Sequence, residues 1–447
     1  MGTLVTALLN STNALQVYGR ALSVVQNNIT NANTPGYAKQ IPLVDPGSAD
    51  GGFLSAPALS TRSQYMEQAV RNQQQLLGDA QQRAADIGQV EAQFDLSSKF
   101  GIPGAMNEFF RSFSNLAVNP NSAVARQSVV DLGENVAAAF NESGRRLQEI
   151  GTSVTAQSRS TVSAINQLGA RIAGINQEYR ASASAAADPA LDAQLNSALE
   201  ELSGLVNFST IRTADGAMNV YVGGQTILVM GDKSRPINFD FSTPQSIVRD
   251  TDGADITSHV SSGQLSALVK ERNTLLPGYA ADIDTLAAAF ADNLNTTLAQ
   301  GVDKNGAPPA ADFFTYTAGP GAARTFSTNG TTPDQIAAAL PGAPGGNANA
   351  IALAKLGSNT VLNGFTFTQY FGNVGSRVGR DVSFARQQQS QYQDALAQAR
   401  VQRGFVSDVS LDEEATRLLQ YQRSYQAVSK MIGVLGDLTQ SVLNILR

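Results

Sequence analysis

The chain has 447 residues, no Cys, no Trp and one His; charged residues make up 15% of it, and the net charge is −6. The missing Cys excludes disulfides, thiolate nucleophiles and Cys-ligated metals, and a single His excludes any two-His metal site. Basic residues are scattered, so no stripe for nucleic acid exists. Composition therefore favours a structural role, and we predict no enzyme activity, no cofactor, no metal and no nucleic-acid partner.

The targeting signals of secretion and membrane insertion do not occur in the chain. The first residues carry no basic region, and their apolar run is too short for a signal peptide. No run of ~20 apolar residues is present to span a bilayer. We predict no membrane insertion, and either a cytoplasmic location or export without a cleaved signal peptide.

The N-terminal segment predicts a helix with a narrow apolar seam that follows heptad spacing. Arg20 is its only charged residue before Lys39. A polar but uncharged exterior suits a helix surrounded by protein rather than by water. The helix ends at Asn33-Thr34-Pro35-Gly36, because Pro35 disfavours a helical Thr34 and Gly36 permits a turn. The predicted seam positions are Leu4, Leu8, Leu15, Tyr18, Leu22, Val25 and Ile29.

The C-terminal segment predicts a second helix of the same kind, about 55 Å long. Ser410 and Glu413 have the spacing of a capping box, and Asp412 suits the positive end of the helix dipole. The seam continues over five heptads, with Glu414 and Thr439 as its polar members. Its apolar and aromatic positions are Leu411, Leu418, Tyr421, Tyr425, Val428, Ile432, Leu435, Val442 and Leu446.

Two interpretations of these terminal helices remain open on periodicity alone. They could form an ordinary antiparallel pair that closes one globular domain. Alternatively, they form a coiled coil whose outer faces bind neighbouring subunits. The low charge of the first helix favours the second interpretation, because its surface is poorly suited to water.

The middle of the chain predicts helices around a β-rich insertion. Residues 64–100 and 122–203 have helical spacing, and Asn219 to Val229 reads as two strands flanking a Gly-Gly turn. The predicted fold class is mainly α with an inserted β-rich domain, and the paired terminal helices form a core domain followed by a helical bundle. The predicted divisions are a terminal coiled coil (1–38 and 405–447), a helical body (39–205 and 263–404) with a Pro/Gly/Ala-rich loop (301–350), and a small outer β-rich domain (206–262).

Candidates for chemistry are few, and each has a simpler structural explanation. His259 lies among Ser residues without a nucleophile motif, so a surface loop is the better interpretation. The run from Asp250 to Asp255 resembles the opening of a calcium loop, but the closing Glu is absent. A turn explains it better.

The terminal motifs carry a family resemblance. Residues 21–37, which end in Asn-Ala-Asn-Thr-Pro-Gly-Tyr, resemble the N-terminal signature of the flagellar axial proteins, the rod, hook and hook-associated proteins. Residues 409–427 and 263–314 resemble the hook-associated junction members more than hook or rod members. Asp408 departs from the family, which usually has Gly there, and the chain is short for it. The motif residues are Asn27, Asn28, Asn31, Asn33, Gly36, Tyr37, Ser410, Asp412, Glu413, Gln420 and Gln422.

The resemblance implies a structural subunit that forms the junction layer between hook and filament, outside the cell. Implied partners are other copies of the chain, hook protein on one side, a second hook-associated protein on the filament side, and an export chaperone on the C-terminal helix. Export would use the flagellar type III apparatus. We expect the terminal helices to be loose in the monomer and to order on assembly. A hook or rod subunit, and an enzyme or glycan-binding module in the β insertion, are the alternatives.

Overall fold

The computed structural model describes residues 2–45, 54–55, 58–94, 101–182, 185, 188–242 and 245–445. Long helices dominate this part of the chain, and short strands are confined to three regions. The helices are α1 (Gly2–Asn31), α2 (Gln64–Glu91), α3 (Ile102–Val118), α4 (Ala123–Ala181), α5 (Pro189–Leu205), α6 (Gln264–Lys270), α7 (Leu276–Leu298), α8 (Ala348–Leu356), α9 (Phe367–Ser407) and α10 (Leu411–Ile445).

The strands are short and all antiparallel. In the first half of the chain, β1 pairs with β4 and β2 with β3, beside the end of α1. A four-stranded meander, β5-β6-β7-β8, follows α5. The strands are β1 (Gln40–Ile41), β2 (Val44–Asp45), β3 (Leu54–Ser55), β4 (Leu59–Ser60), β5 (Phe208–Arg212), β6 (Met218–Val222), β7 (Thr226–Met230), β8 (Lys233–Ser234), β9 (Asn238–Asp240), β10 (Ile247–Arg249), β11 (Phe314–Thr315) and β12 (Ser327–Thr328).

The two terminal helices, α1 and α10, pack side by side in opposite directions and are called the terminal helix pair below. The Tyr18 and Tyr421 ring centroids are 6.3 Å apart, and the Ser11 Oγ lies 3.6 Å from the Met431 Sδ. The two helices are therefore antiparallel: as residue numbers rise along α1, the facing residue numbers fall along α10. The predicted pairing of the chain ends is confirmed.

The helical body, formed by α2, α3, the first half of α4, and α6 to α9, has a core rich in aromatic rings. Phe290 is its centre, with six other phenylalanine ring centroids 5.3–6.3 Å away. Aromatic pairs at such distances add stability beyond the area they bury. Residues 301–350, predicted as a loop, pack Phe313, Phe314 and Phe326 into this core, and α8 begins within the range.

The β insertion does not have a core of its own. The sheet β5–β8 shares one hydrophobic cluster with the second half of α4 and with α5, through side chains such as Ile165, Leu199 and Val220. A small antiparallel sheet needs a second layer to bury its apolar face. The outer unit is therefore larger than the predicted 206–262.

Two predicted helix boundaries also differ from the structure. The run 122–203 is interrupted, because Asp188 caps α5 and Pro189 occupies its first turn. The helix before the terminal one continues to Ser407, beyond the predicted boundary at 405. Asp408 then has an extended backbone, with φ −76°, so the position needs no glycine.

Candidate functional site: the terminal helix pair

Most predicted seam residues lie between α1 and α10, although the centre of the contact is shifted. The most deeply buried apolar residues of α1 are Ala14, Val17, Ala21 and Val25. Ala14 and Ala21 have short side chains, which let two helix backbones approach closely. The other seam residues flank this line and are half-buried: Leu4, Leu8, Leu15, Tyr18, Leu22, Ile29, Leu418, Tyr421, Val428, Ile432, Leu435 and Val442.

Three predicted seam positions do not fit the seam as expected. Leu411 is 51% exposed, because the antiparallel register sets it at the level where α1 ends. Tyr425 is 37% exposed, with its Cε2 atom over Gly19. Leu446 lies outside the described residues.

The asparagine-rich motif at the end of α1 closes the pair at one end through a single buried side chain, Asn28. Its Nδ2 donates to the Gln40 carbonyl at 2.8 Å and to the Glu414 Oε2 at 2.9 Å. Its Oδ1 accepts from the Tyr37 hydroxyl at 2.9 Å and from the Gln40 N–H at 3.0 Å. Asn28 therefore joins α1, the turn after it and α10 in one network, and every polar atom of its side chain is used.

The charge at the centre of this network is the Glu414 carboxylate, which is fully buried. Lys39 balances it at 3.7 Å and also contacts Glu413 at 2.5 Å. Burial, followed by the nearby Glu414 charge, raises the pKa of Tyr37 to about 12, so the hydroxyl remains a donor. We call Asn28, Tyr37, Lys39, Gln40 and Glu414 the Asn28 cluster.

Ser410 and Glu413 perform only part of the predicted capping box. The Ser410 Oγ accepts from the Glu413 N–H at 3.5 Å. The Glu413 carboxylate bonds Lys39 and Arg417, and the Lys39 bond is the main cause of its lowered pKa. Glu413 thus ties α10 to the chain segment after α1.

The remaining motif residues divide into turn-forming and outward-facing groups. Asn31 accepts from the Thr34 hydroxyl at 3.2 Å. Gly36 has φ +75°, and a Cβ there would lie 2.4 Å from the Ala193 carbonyl oxygen on α5, so only glycine fits. The exposed members are Asn27, Asn33, Asp412, Gln420 and Gln422.

Sequence reasoning missed the polar half of this site. Lys39 and Gln40 were not singled out, and Glu414 was predicted as a polar member of the seam. A buried Asn that faces a Glu some 386 positions away has no local sequence pattern. The one available signal was the basic Lys39 directly after an otherwise nearly uncharged segment.

A second set of apolar residues on the pair faces outward. Ser11 contacts Met431, so Val5 and Leu9 lie at the level of the α10 residues that follow Met431. Met431, Val434 and Leu438 have the spacing of one helix face. All five are about half exposed, from 49% to 59%. We call them the outer set: Val5, Leu9, Met431, Val434 and Leu438.

The chemistry candidates have structural roles in the described residues. The His259 Nδ1 lies 3.0 Å from the Thr226 hydroxyl. The Asp250 Oδ1 accepts from the N–H groups of Asp252 and Ala254, which makes an Asx turn. Within the described ranges no cluster of three or more His or acidic side chains is arranged to hold a metal. In that same part of the chain, no helix is both long and apolar enough to cross a bilayer.

Comparison with known proteins points to one family. The family model of the flagellar hook-associated protein FlgK helical domain matches residues 87–314, and the flagellar basal body rod FlgEFG protein C-terminal model matches residues 402–445. Flagellar hook-associated protein 1 of Bacillus subtilis is 25% identical, with 96% of each chain covered. The protein of that name in Salmonella typhimurium is also 25% identical, over 70% of this chain and 59% of its own length.

A solved structure has the same fold. The flagellar hook junction protein FlgK from Burkholderia pseudomallei aligns with a TM-score of 0.68 at 15% identity, covering 75% of this chain and 99% of that one. The FlgK helical-domain model spans about half of the present chain. The resemblance predicted from the terminal motifs is therefore confirmed: the chain belongs to the flagellar hook-associated protein FlgK family.

Proposed function

We propose that this member of a family of flagellar structural proteins forms part of the junction between hook and filament, and that it assembles through its terminal helix pair. Family membership supports the structural role. The observation that supports assembly through the pair is the outer set, whose five large apolar side chains are about half exposed. Met431, Val434 and Leu438 share one face of α10, and large apolar side chains grouped on an exposed face are typical of a site of protein interaction.

The polar surface of the pair supports the same conclusion. Arg20 is the only charged residue of α1, and the exposed motif side chains Asn27, Asn33, Gln420 and Gln422 are neutral. Neutral amides can hydrogen-bond to neighbouring subunits without the desolvation cost of a buried charge. Copies of the chain, hook protein on one side and a second hook-associated protein on the other are the proposed neighbours.

The two ends of the pair differ in what holds them in the monomer. The end near residues 28 and 414 has the buried Asn28 cluster, whereas the end near residues 5 and 438 has mainly half-buried seam contacts and the exposed outer set. We propose that the first end is ordered in the free subunit. The second end orders when neighbours cover it, as coupled folding and binding.

Export and organisation remain proposals of the same kind. A loosely held α10 would be accessible to an export chaperone, and passage through the flagellar type III apparatus would not require a cleaved signal.

We propose three units, namely the terminal helix pair, the helical body, and an outer unit that combines the sheet β5–β8 with α5 and the second half of α4. The helical body and the outer unit have separate hydrophobic cores, which supports their division.

The hook or rod alternative has weaker support. The C-terminal match at 402–445 names rod proteins, but the longer match at 87–314 is to the hook-associated helical domain. For an enzyme or glycan-binding role of the outer unit, we find no observation in its favour.

A deletion strain separates these candidates. Loss of filaments with hooks intact is expected for the junction subunit, whereas loss of hooks would indicate a hook or rod subunit. Antibody labelling of intact flagella should mark one narrow band beside the hook. Labelling along the whole hook, or none on the flagellum, would refute the proposed position.

A further inference from the structure

Through its side chain, Arg62 connects the turn that follows α1 with two other helices. It lies between β4 and the N-cap of α2, and its side chain is only 10% exposed. Its Nη2 donates to the Gly36 carbonyl at 2.5 Å, its Nε to the Asp192 carboxylate at 2.7 Å, and its Nη1 to the Glu67 carboxylate at 2.5 Å. These partners belong to the turn after α1, to α5 and to α2.

The fork of the guanidinium makes this three-way contact possible. Arg presents its donors in a fixed planar geometry, whereas Lys has one compact ammonium on a flexible stem. Two carboxylates balance the buried charge, and the third bond goes to a backbone carbonyl of the motif turn. Because this bond goes to a backbone carbonyl, it depends on where the turn lies and not on any side chain of the turn.

The Gly36 turn is seated where Arg62 reaches it. The Gly36 Cα approaches the α5 backbone so closely that a Cβ would lie 2.9 Å from the Ser197 nitrogen. The Lys39 N–H, just beyond the turn, donates to the Ser407 carbonyl at 2.8 Å, at the end of α9. The turn after α1 therefore contacts α5 and the end of α9, and Arg62 bridges this turn to α5 and α2.

The other ion pairs at this level do not involve the turn after α1. Arg403 joins Glu67 at 3.2 Å and Glu200 at 2.7 Å, and Arg400 joins the same Glu200 at 2.8 Å. They hold α2, α5 and α9 together and hold Glu67 in place. Arg62 alone among these three arginines bonds to the chain segment of the motif turn.

We propose that Arg62 is a positioning residue that sets the angle between the terminal helix pair and the helical body. The role goes beyond the proposed function, since it concerns the shape of the free subunit. A fixed angle gives the ordered end of the pair the same direction in every copy, as a regular array of identical subunits requires.

The native absence of cysteine allows a direct test by spin labelling. Labels at Ser23→Cys on α1 and Thr152→Cys on α4, both exposed positions, report the distance distribution across the boundary by double electron–electron resonance. The full chain with Arg62 is expected to give one narrow peak. Arg62→Gln should widen the distribution at least twofold, and Arg62→Lys should give an intermediate width.

Two further variants keep the test decisive. Arg83→Gln removes another partly buried arginine of α2, whose partners Asp79 and Gln388 lie within the body, and it should leave the peak narrow. Gly36→Ala should shift the mean distance, because the added methyl group pushes the turn away from α5. The proposal is overturned if Arg62→Gln keeps the original width, if Arg83→Gln widens it equally, or if the starting protein is already broad.

Discussion

The helical body and the terminal helix pair bury their apolar residues in opposite ways. In the body, Phe290 and its neighbouring rings are enclosed on all sides by residues of the same chain. In the pair, two helices cover one stripe of each other, and the outer set stays half exposed. The difference indicates that the body is stabilised by contacts within the chain, whereas we propose that neighbouring subunits cover the apolar side chains that the pair leaves exposed.

The largest effect should come from the centre of the body. Phe290→Ala removes a fully buried ring that contacts six others, and such a cavity costs about 3–5 kcal/mol of unfolding free energy. The exposed Phe384 is the matched control, for which alanine should cost less than about 0.5 kcal/mol. Chemical denaturation followed by circular dichroism measures both. Similar losses for the two variants would mean that the body has no dominant core.

The Asn28 cluster should come next, and its effect should stay local. Glu414→Ala leaves the Asn28 Nδ2 with one partner fewer and removes a buried counter-charge of Lys39, at a cost of about 2–4 kcal/mol. Amide exchange should accelerate at residues 25–40 and 411–418, with the body unchanged. Asp412→Ala, at an exposed acid of the same helix turn, is the control and should cost well under ~1 kcal/mol. Unchanged exchange in Glu414→Ala would show that the cluster does not hold the pair.

A buried acid in the body predicts a dependence on pH. Burial, followed by the nearby Asp86 carboxyl group, raises the pKa of Glu271 from 4.5 to about 10; Asp79 and Arg83 of α2 also face it. Between those values the folded state holds a proton that the unfolded state lacks, so this group lowers stability progressively as pH rises. Glu271→Gln removes that dependence.

The expected difference is a melting temperature for Glu271→Gln at pH 9 above that of the unchanged protein by about 4 °C or more. The gap should shrink toward pH 5, where Glu271 is protonated in the folded state and increasingly so in the unfolded one. Parallel melting curves for the two proteins across this range would contradict the assignment. Amide hydrogen exchange in the terminal helix pair should be the same in both proteins, because Glu271 lies in the body.

Substitutions in the outer set should change the stability of the free subunit least and its assembly most. The triple change Met431→Ser, Val434→Ser and Leu438→Ser alters exposed residues, so the free energy of unfolding should change by no more than about 0.5 kcal/mol per site. Truncated interface anchors typically cost more than ~1 kcal/mol each in binding, so incorporation into flagella should fail. Val25→Ala, in the seam at the ordered end and fully buried, should instead destabilise the monomer's pair. Normal motility of the triple variant would show that the outer set is not an interface.

Features that follow from the spacing of apolar residues could be predicted from the sequence, whereas features that depend on contacts between residues far apart in the chain could not. Heptads at both ends were enough to predict that α1 and α10 pair. Their spacing could not predict that Ala14, Val17 and Ala21 would be the most deeply buried, because helix separation depends on the facing side chains. The break at Asp188-Pro189 was readable from capping chemistry and was overlooked. The shared core of α4, α5 and the sheet required the tertiary fold.

Hydrogen–deuterium exchange, measured peptide by peptide on the free subunit and on assembled flagella, tests most directly the proposal that neighbouring subunits complete the terminal helix pair. In the free subunit, amides at 3–16 and 427–441 should exchange rapidly, while those at 21–31 and in the body stay protected. On assembly, the first two segments should slow by about 100-fold or more, because neighbours then cover them. Protection of residues 3–16 in the free subunit as strong as that of the body would contradict a pair completed by its neighbours.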